Sequence, residues 1–367
     1  MKKFLIVVSI FSSLYFLNGC NSSQKPATGF EDEIYVVADS LEFEELKVSL
    51  KAAFEVEINT PMPEKLFIIK RVSSDQIEKV KNKKNVVIVA PLKSTSGTAE
   101  LLNSIINDDI KRRVFSDKDY IHYSYDMWAK NQLVAIITGN KIDDIDFKIE
   151  KNKDSLRTTF QKESDFRLKE SLYNPKYEQK KVESKLLVDY GWIIYAHQDF
   201  KLKLSDKKEK FVWFSSSLDN ENERSIFISW IDSTSYLFLT PDSVKTIRDR
   251  ITKKFFENKK DSSYIVLIDS LVTTTEINFN GKFALYTQGL WKNTKNNSVG
   301  PFVNYLLYDD YKKRIYMLDG SVDAPKYYKR NLIQQVDIIL QSFSTSYDLP
   351  QDRFDDLIDE YYRSFKK

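Results

Sequence analysis

A loop between a predicted strand and a predicted helix carries side chains that suit a bound anion. Lys93, Ser94 and Thr95 follow an apolar run at 85–90 and precede a helix predicted over 99–107. Ligands gather at the carboxyl ends of strands in open parallel sheets, and helix N-termini attract negative charge. This loop is therefore one candidate ligand site. The alternative, which we favour, is an ordinary loop whose hydroxyl groups cap the helix.

A long polar connection between two predicted strands is the second candidate site. The candidate residues in and beside it are Trp291, Lys292, Asn296, Asn297, Asn304 and Tyr305. Long connections are more often functional than tight turns, and aromatic residues beside polar loops suit contacts with peptides or sugars. The alternative, which we also favour here, is that Trp291 and Phe302 alternate into the core and the loop has no function.

The single cysteine follows an apolar segment at the N-terminus. Lys2 and Lys3 precede the uncharged run at 4–17, which at 14 residues is shorter than the ~20 that a membrane-spanning helix needs. Such a segment is typical of a signal peptide. The four residues at 17–20 (LNGC) resemble a bacterial lipobox. This resemblance implies cleavage before Cys20 and attachment of lipid, including palmitate, at that residue. An ordinary secretory signal beside an unrelated cysteine is the alternative.

Composition argues against several classes of chemistry. With Cys20 lipidated, no thiol remains for a disulfide, a nucleophile or a thiolate metal site. His122 and His197 are isolated and form no zinc motif. The nine glycines form no phosphate-binding cluster, and a Gly-x-Ser-x-Gly nucleophile motif does not occur. We therefore predict no catalytic residue, no metal and no cofactor.

Adjacent aspartates are the remaining candidates for acid–base catalysis. They occur at 108–109, 143–144, 309–310 and 355–356. Neighbouring side chains point in different directions, and acids are common at turns and helix starts, so catalysis at these pairs is disfavoured. The net charge is +3 and falls to +1 when Lys2 and Lys3 are removed, which argues against a nucleic-acid partner.

The elements that would position these residues fall into two groups, an α/β part and an α+β part. Residues 33–147 alternate apolar strands with helices, which predicts a small three-layer α/β domain with a largely parallel sheet. Residues 148–190 are charged and predict a helical connector. Strands dominate residues 191–345, where Asn280-Gly281 is a strong hairpin signal, so we predict an antiparallel sheet packed by helices. The remaining predicted segments are a signal peptide at 1–19, a lipidated tether at 20–32 and a polar tail at 346–367.

Several short motifs occur in a fixed order along the mature chain. They are the strand at 34–39, DMWAKNQ at 126–132, GLW at 289–291, GPFV at 300–303 and KRN at 329–331. Together with the lipobox they resemble the Bacteroidota lipoprotein family catalogued as domain of unknown function 4837, over nearly the whole mature chain. That family implies a location and a fold but no activity. The segment at 192–343 more loosely resembles the Mog1/PsbP-type α/β/α sandwich, which implies architecture alone.

The leading functional hypothesis is a lipid-anchored cell-envelope protein that binds or scaffolds without catalysis. We expect it on a bacterial membrane, on the periplasmic side of the outer membrane. Expected partners are the membrane, through the lipid anchor, and envelope proteins or glycans. One alternative is an envelope hydrolase acting on peptidoglycan or glycan, which a deep pocket with several titratable groups would favour. Another alternative is a lipoprotein that binds a small ligand.

Overall fold

The computed structural model describes residues 24–118, 120–219, 222–232 and 235–364, so the predicted signal peptide and Cys20 lie outside the described residues. Across these ranges, no helix combines the length and the apolar character needed to cross a membrane. The two groups of elements expected from the sequence form two sheets, each lying between helical layers.

The first half of the chain forms a five-stranded sheet and a small ribbon. The strands are β1 (Glu33–Val37), β2 (Glu57–Ile58), β3 (Glu64–Lys65), β4 (Ile68–Val72), β5 (Asn85–Pro91), β6 (Ile121–Tyr125) and β7 (Leu133–Gly139). The sheet order is β4-β1-β5-β7-β6, with β6 antiparallel to β7 and the other pairs parallel, while β2 and β3 pair separately. Both β5 and β7 are buried along their whole length, as expected for apolar runs covered on both faces.

Helices cover both faces of this sheet. They are α1 (Ser40–Phe54), α2 (Gly97–Ile105), α3 (Asp108–Phe115) and α4 (Ile142–Leu172). On one face α1 and α4 enclose a core in which Phe54, Phe67 and Phe160 meet edge to face. On the other face α2 and α3 cover a second core. The predicted three-layer α/β architecture is confirmed for this half.

The second half forms a larger antiparallel sheet. Its strands are β8 (Trp192–Ile193), β9 (Lys201–Asp206), β10 (Phe211–Asp219), β11 (Asn222–Ile231), β12 (Ile265–Leu267), β13 (Thr273–Phe279), β14 (Lys282–Asn293), β15 (Val299–Asp309), β16 (Arg314–Asp323) and β17 (Ser344–Thr345). The order is β12-β14-β15-β16-β11-β10-β9, with β13 also paired to β14, and β8 pairs separately with β17. Asn280 and Gly281 both have positive φ at the β13–β14 turn, so the predicted hairpin is confirmed.

Four helices accompany the second sheet. They are α5 (Lys180–Tyr190), α6 (Pro241–Phe256), α7 (Arg330–Gln341) and α8 (Gln351–Arg363). One face of the sheet packs on α6, and the other packs on α5 and α7 around the buried Trp192. The predicted antiparallel sheet packed by helices is confirmed. Short 3₁₀ turns lie at Ser74–Lys79, Pro175–Tyr177, Tyr236–Phe238 and Asp269–Leu271.

The segment predicted as a helical connector is divided between the two cores. Its first part lies in α4, where an apolar stripe that includes Ile149, Leu156 and Phe160 packs into the first half among many charged neighbours. Its last part is α5, which packs against α8. Leu357 of α8 is fully buried, so the polar tail carries a helix with one anchored face.

The predicted tether is held to the fold from Lys25 onward. The Lys25 carbonyl accepts a hydrogen bond from the Lys130 amide at 3.0 Å, and the Ala27 amide donates to the Lys130 carbonyl at 2.8 Å. Thr28 then bonds the carbonyl of Asn82 through its backbone amide at 2.7 Å. The polar composition of 20–32 suggested a flexible segment, but backbone groups of any sequence can pair with a neighbouring loop.

Candidate functional site

A cleft with a volume of about 390 Å³ lies between the two halves of the molecule. The first half contributes the β2–β3 ribbon and one face of α4, and the second half contributes β14, β15 and one face of α7. Ile58, Leu66 and Ile333 supply apolar surface. The polar lining includes Gln161, Asp165, Arg330, Gln334 and Asp337. A mixed lining of this kind, at the boundary of two domains, is typical of small-molecule sites.

Glu64 fixes the position of α7 on the cleft wall. This carboxylate belongs to the ribbon of the first half and is buried. Its oxygens accept hydrogen bonds from the backbone amide of Lys329, at 2.8 and 2.9 Å, and from that of Arg330, at 2.9 Å. The first amides of a helix have no partner within the helix, and the helix dipole favours a negative charge there. A residue of one half therefore caps a helix of the other.

Arg330, the first residue of α7, is a buried cation with neutral partners. Only 4 % of it is exposed. Its Nε donates to the Leu66 carbonyl at 2.7 Å, and its Nη1 donates to Asn331 Oδ1 at 2.7 Å. A weaker contact joins Nη1 to Gln334 Oε1 at 3.3 Å. Among the residues that the structure describes, Nη2 has no hydrogen-bond partner. Burial lowers the pKa of this guanidinium, because desolvation disfavours the charged form.

Two carboxyl groups line the same cleft and also have neutral partners. Asp165 Oδ1 accepts hydrogen bonds from the side-chain amides of Gln161 and Gln334, both at 2.7 Å. Asp337 accepts from the Tyr305 hydroxyl at 2.6 Å and from the Gln341 amide at 3.0 Å. Desolvation raises the pKa of both carboxyls, and that of Asp337 reaches about 6. The charge of Asp165 adds to the shift of Asp337.

Gln161 completes the polar lining with an acceptor. Its side-chain nitrogen is bound to Asp165, and its Oε1 is buried. Within the described part of the chain, nothing donates a hydrogen bond to that oxygen. A buried polar atom without a partner costs about 1–3 kcal/mol. Two residues of the cleft lining therefore each carry a buried polar atom that has no hydrogen-bond partner among the described residues: the donor Arg330 Nη2 and the acceptor Gln161 Oε1.

The predicted site at 93–98 is occupied by the chain itself. Lys93 is exposed, with its Nζ 5.2 Å from the centroid of the Phe115 ring, and Thr95 is also exposed. The Ser94 hydroxyl donates to Glu42 Oε1 at 2.7 Å. These three side chains do not converge on a common point for a ligand.

The N-terminus of α2 beside this loop already holds a carboxylate. The Gly97 amide donates to Asp39 Oδ2 at 2.9 Å, and the Thr98 hydroxyl donates to Asp39 Oδ1 at 2.9 Å. Ser96 Oγ caps the helix by accepting from the Ala99 amide at 3.2 Å. Asp39 follows β1, which is the neighbour of β5 in the sheet, so the topology brings an internal anion to the place where a bound anion was predicted.

The residues predicted around the second candidate site separate into different environments. Trp291 is 4 % exposed and packs with Leu267 and Phe302. Lys292, Asn296 and Asn297 are exposed. Asn304 and Tyr305 are successive residues of β15, so they face opposite sides of the sheet.

Tyr305 is the predicted residue that contributes to the cleft, through its bond to Asp337. Asn304 instead donates to Asp319 Oδ2 at 2.8 Å in the core beneath α6. The other polar residues of the cleft were not among the predicted site residues. A signal was present, because Arg330, Gln334 and Asp337 follow the i, i+4, i+7 spacing of one helix face.

The histidines have local roles. His197 is buried, and its Nδ1 accepts a hydrogen bond from the Asp199 amide at 3.2 Å. Burial lowers the pKa of His197. Within the described ranges, no three His, Cys, Asp or Glu side chains lie together in a way that could hold a metal ion.

Two family models cover most of the described chain. Residues 178–342 match Domain of unknown function (DUF4837), and residues 27–173 match Domain of unknown function (DUF8532). The resemblance to the first family is therefore confirmed, but for the second half of the chain. The motifs at 34–39 and 126–132 lie in the segment that the other family matches. No curated protein matches this chain.

A solved structure resembles part of the fold. It is the Ran-binding protein Mog1p of Saccharomyces cerevisiae, with 8 % sequence identity and a TM-score of 0.28. The alignment covers 42 % of this chain and 90 % of that one. A likeness at this level carries no argument about function.

Proposed function

We propose that this chain, which joins two domains of unknown function, is a lipid-anchored binding protein of the bacterial cell envelope, and that its ligand site is the cleft between its halves. The main support for this proposal is the set of hydrogen-bond partners of Arg330 on the cleft wall. A buried guanidinium there has neutral acceptors alone among the described residues, and its Nη2 is left for a further partner. A bound molecule that reached Nη2 would recover the free energy lost by burying that group.

Binding fits the chemistry of the cleft better than catalysis does. The described residues that line it include neither histidine, serine nor cysteine, so it lacks the hydroxyl and thiol nucleophiles and the imidazole that activates them. Asp165 and Asp337 are each held by two neutral donors. Such bonds position a carboxyl group to receive a ligand.

The binding experiment uses the full chain in detergent and a panel of envelope compounds that includes amino acids, short peptides and glycan fragments. We expect at least one class to raise the melting temperature of the wild type and not that of Arg330→Gln. Arg112, an exposed arginine on α3, supplies a matched control, Arg112→Gln, which should respond as the wild type does. An equal response from Arg330→Gln and the wild type would rule out the cleft as the site.

The envelope location depends on lipid at Cys20. Five peptide units separate Cys20 from Lys25, whose carbonyl is bound to Lys130, and they span at most about 18 Å. A lipidated chain would therefore be held close to the membrane surface. Fractionation of Cys20→Ser should move the protein from the membrane to a soluble or precursor pool. A variant that stayed membrane-bound at the normal mature mass would contradict the anchor.

A hydrolase acting on peptidoglycan or glycan is the second candidate function. The observation in its favour is that two carboxyls line one cleft, as in a glycosidase, and that burial raises the pKa of each, which is the condition for a general acid. Release of soluble fragments from purified peptidoglycan distinguishes the two functions. Turnover that falls by about 10³-fold or more in both Asp165→Asn and Asp337→Asn would favour the hydrolase. Ligand binding without turnover would favour the binding protein.

A further inference from the structure

We infer that the cleft binds a zwitterion, an amino acid or short peptide, with its carboxylate on Arg330 and its ammonium group between Asp165 and Asp337. This inference rests on the proposed binding function. It comes from the separation of charge in the cleft, where a cation and two acids line the same walls and each is bonded to neutral groups.

We place the carboxylate end of the ligand at Arg330. Two of its three nitrogens already bind neutral acceptors, which fixes the plane of the guanidinium. The stacked ring of Phe67, 5.3 Å from the guanidinium carbon, supports that orientation. The remaining nitrogen, Nη2, has no hydrogen-bond partner among the described residues, and Arg330 is one of the residues that line the cleft. Guanidinium-to-carboxylate bonds are among the strongest hydrogen bonds in proteins, so an anionic acceptor gains most here.

We place the ammonium end of the ligand at the two acids, Asp165 and Asp337. Asp165 lies on α4 and Asp337 on α7, so they approach the cleft from the two halves. A primary ammonium group has three donors and could bond both carboxylates at once. The other groups that face Asp337 are the hydroxyls of Tyr305 on β15 and Tyr286 on β14, and the amide of Gln341 on α7. None of these three carries a positive charge.

The groups hydrogen-bonded to Asp165 are neutral too. They are the amides of Gln161 and Gln334, with Arg330 and Glu31 acting at longer range. The two acids also destabilise each other when both are ionised, and a cation between them would relieve that repulsion.

The space between the charged ends suits the middle of such a ligand. Gln161 Oε1 could accept a peptide N–H, and Ile58, Leu66 and Ile333 could contact an apolar side chain. A volume of about 390 Å³ is at the lower end for small-molecule sites, which limits the ligand to a few residues. Two acids disfavour a phosphate dianion, and Arg330 disfavours a polyamine. A neutral sugar would bring no counter-ion for any of the three charged groups.

The test is calorimetric titration of the full chain in detergent at pH 7.5 with four probes at up to about 10 mM, a range set by the ~1 mM weak-binding scale. The probes are L-leucyl-L-leucine, its N-acetyl derivative, its C-terminal amide and the neutral sugar dimer N,N′-diacetylchitobiose. We expect the free dipeptide to bind at least 10-fold more tightly than either blocked form. Equal affinities, or no dipeptide binding, would overturn the inference.

Variants assign the two ends of the ligand. Arg330→Gln should remove the preference for the free carboxylate over the amide, and Asp337→Asn should reduce the preference for the free amine over the acetylated one. Arg112→Gln and Asp310→Asn, which change exposed groups, should keep both preferences. The probe series on the wild type is decisive by itself, so a variant that fails to fold does not weaken the test.

The pH dependence gives a further check. An ammonium group binds the ionised acids, so affinity for the free dipeptide should fall as the pH drops below about 6, where Asp337 takes up a proton. If the dipeptides fail while the sugar dimer binds and Arg330→Gln weakens it, the zwitterion inference fails and the proposed binding function stands. If none of the compounds in either experiment binds at the cleft, both fail.

Discussion

Two buried arginines, Arg248 on α6 and Arg330 on α7, occupy comparable places in the second half of the molecule. Each begins or lines a helix that packs on the large sheet, and each lies over a phenylalanine ring, at 4.7 Å for Arg248 and 5.3 Å for Arg330. Arg248 is 0 % exposed, and its Nε and Nη2 bond the two oxygens of Asp319 at 2.7 and 3.2 Å. Arg330 bonds neutral acceptors.

This difference in partners distinguishes Arg248, a cation that stabilises the fold, from Arg330, a cation that we propose binds a ligand. Arg248 has its counter-ion inside the fold, although its Nη1, like Arg330 Nη2, lacks a hydrogen-bond partner in the described structure. The N-terminus of α2 is a similar case. There the carboxylate of Asp39 accepts the hydrogen bonds that a bound anion would otherwise accept. At Arg330 the acids Asp32, Glu31 and Asp165 act through space, but no acid among the described residues is hydrogen-bonded to the guanidinium, so a ligand can supply the bonded counter-ion.

From this comparison we expect the largest loss of stability when Arg248 is replaced. Arg248→Met should lower the free energy of unfolding by about 3–5 kcal/mol, because Asp319 would remain buried without its cation. Urea denaturation measures the change. The double variant Arg248→Met with Asp319→Leu removes both charges and should recover much of the loss. A loss below about 1 kcal/mol in the single variant would show that this ion pair does not stabilise the fold.

Glu64→Ala should have the next largest effect, because it removes the carboxylate that caps α7 from the other half. We expect a loss of about 2 kcal/mol, the upper range for a helix cap. Faster proteolysis near the β2–β3 ribbon should accompany it. The exposed Glu57 on the same ribbon provides the control, Glu57→Ala, which should remain within about 0.5 kcal/mol of the wild type. Equal effects of the two changes would contradict the capping role.

Arg330→Met tests the comparison most directly. No ion pair is broken in the described structure, so the cost should be about 1–2 kcal/mol, from the lost hydrogen bonds to the Leu66 carbonyl and to Asn331 Oδ1. The measurement is the same urea titration used for Arg248→Met. If the two arginine variants lost equal stability, the distinction between a structural and a binding arginine would fail.

Asp337→Asn should change the pH dependence of stability. The pKa of Asp337 in the fold, about 6, lies above its ordinary value of 3.8, so the folded state holds the proton more tightly than the unfolded state does. The stability that Asp337 contributes is therefore present below about pH 4 and is lost as the pH rises to about 6. The Asn variant should gain about 1 kcal/mol relative to the wild type between pH 4 and pH 7, with allowance for partial solvent contact. Parallel pH profiles would contradict the shift, and the exposed Asp310→Asn should show none.

The smallest effect is expected in the β14–β15 loop. Changing Lys292, Asn296 and Asn297 together to Ala should alter stability by no more than about 0.5 kcal/mol, because all three side chains are exposed. It should also leave the affinity of the cleft for the dipeptide unchanged. Loss of dipeptide binding in this variant would move the site from the cleft to the loop.

Local sequence predicted most elements because the relevant signals are local. Thr240 caps α6 and Pro241 begins it, and Asn280-Gly281 forms the hairpin turn, each through the backbone geometry of a few neighbouring residues. The role of α4 was harder to predict. Its apolar stripe is diluted by charged residues, and the helix became part of a core because α1 and the sheet were there to cover it.

The cleft could not be predicted from spacing along the chain. Asp165 and Arg330 are far apart in sequence and meet because the β2–β3 ribbon and α4 pack against α7. Conversely, the loop at 93–98 has the local pattern of an anion site, and the carboxylate of Asp39, which follows β1, fills it. Local pattern identifies donors and acceptors, but the pairing of each one depends on which distant segment lies beside it.

The sequence by itself determined the two fold classes and the β13–β14 hairpin. It also determined that cysteine, histidine and glycine are too few for the thiolate, zinc and phosphate-binding motifs considered above. These properties depend on residue counts, hydrophobic period and turn residues, all of which act over a few positions. Only the tertiary structure decided which buried charges are neutralised inside the protein and which are left for a ligand. Coulomb and desolvation energies depend on distance and burial in three dimensions, so Arg248 and Arg330 are equivalent in the sequence and different in the fold.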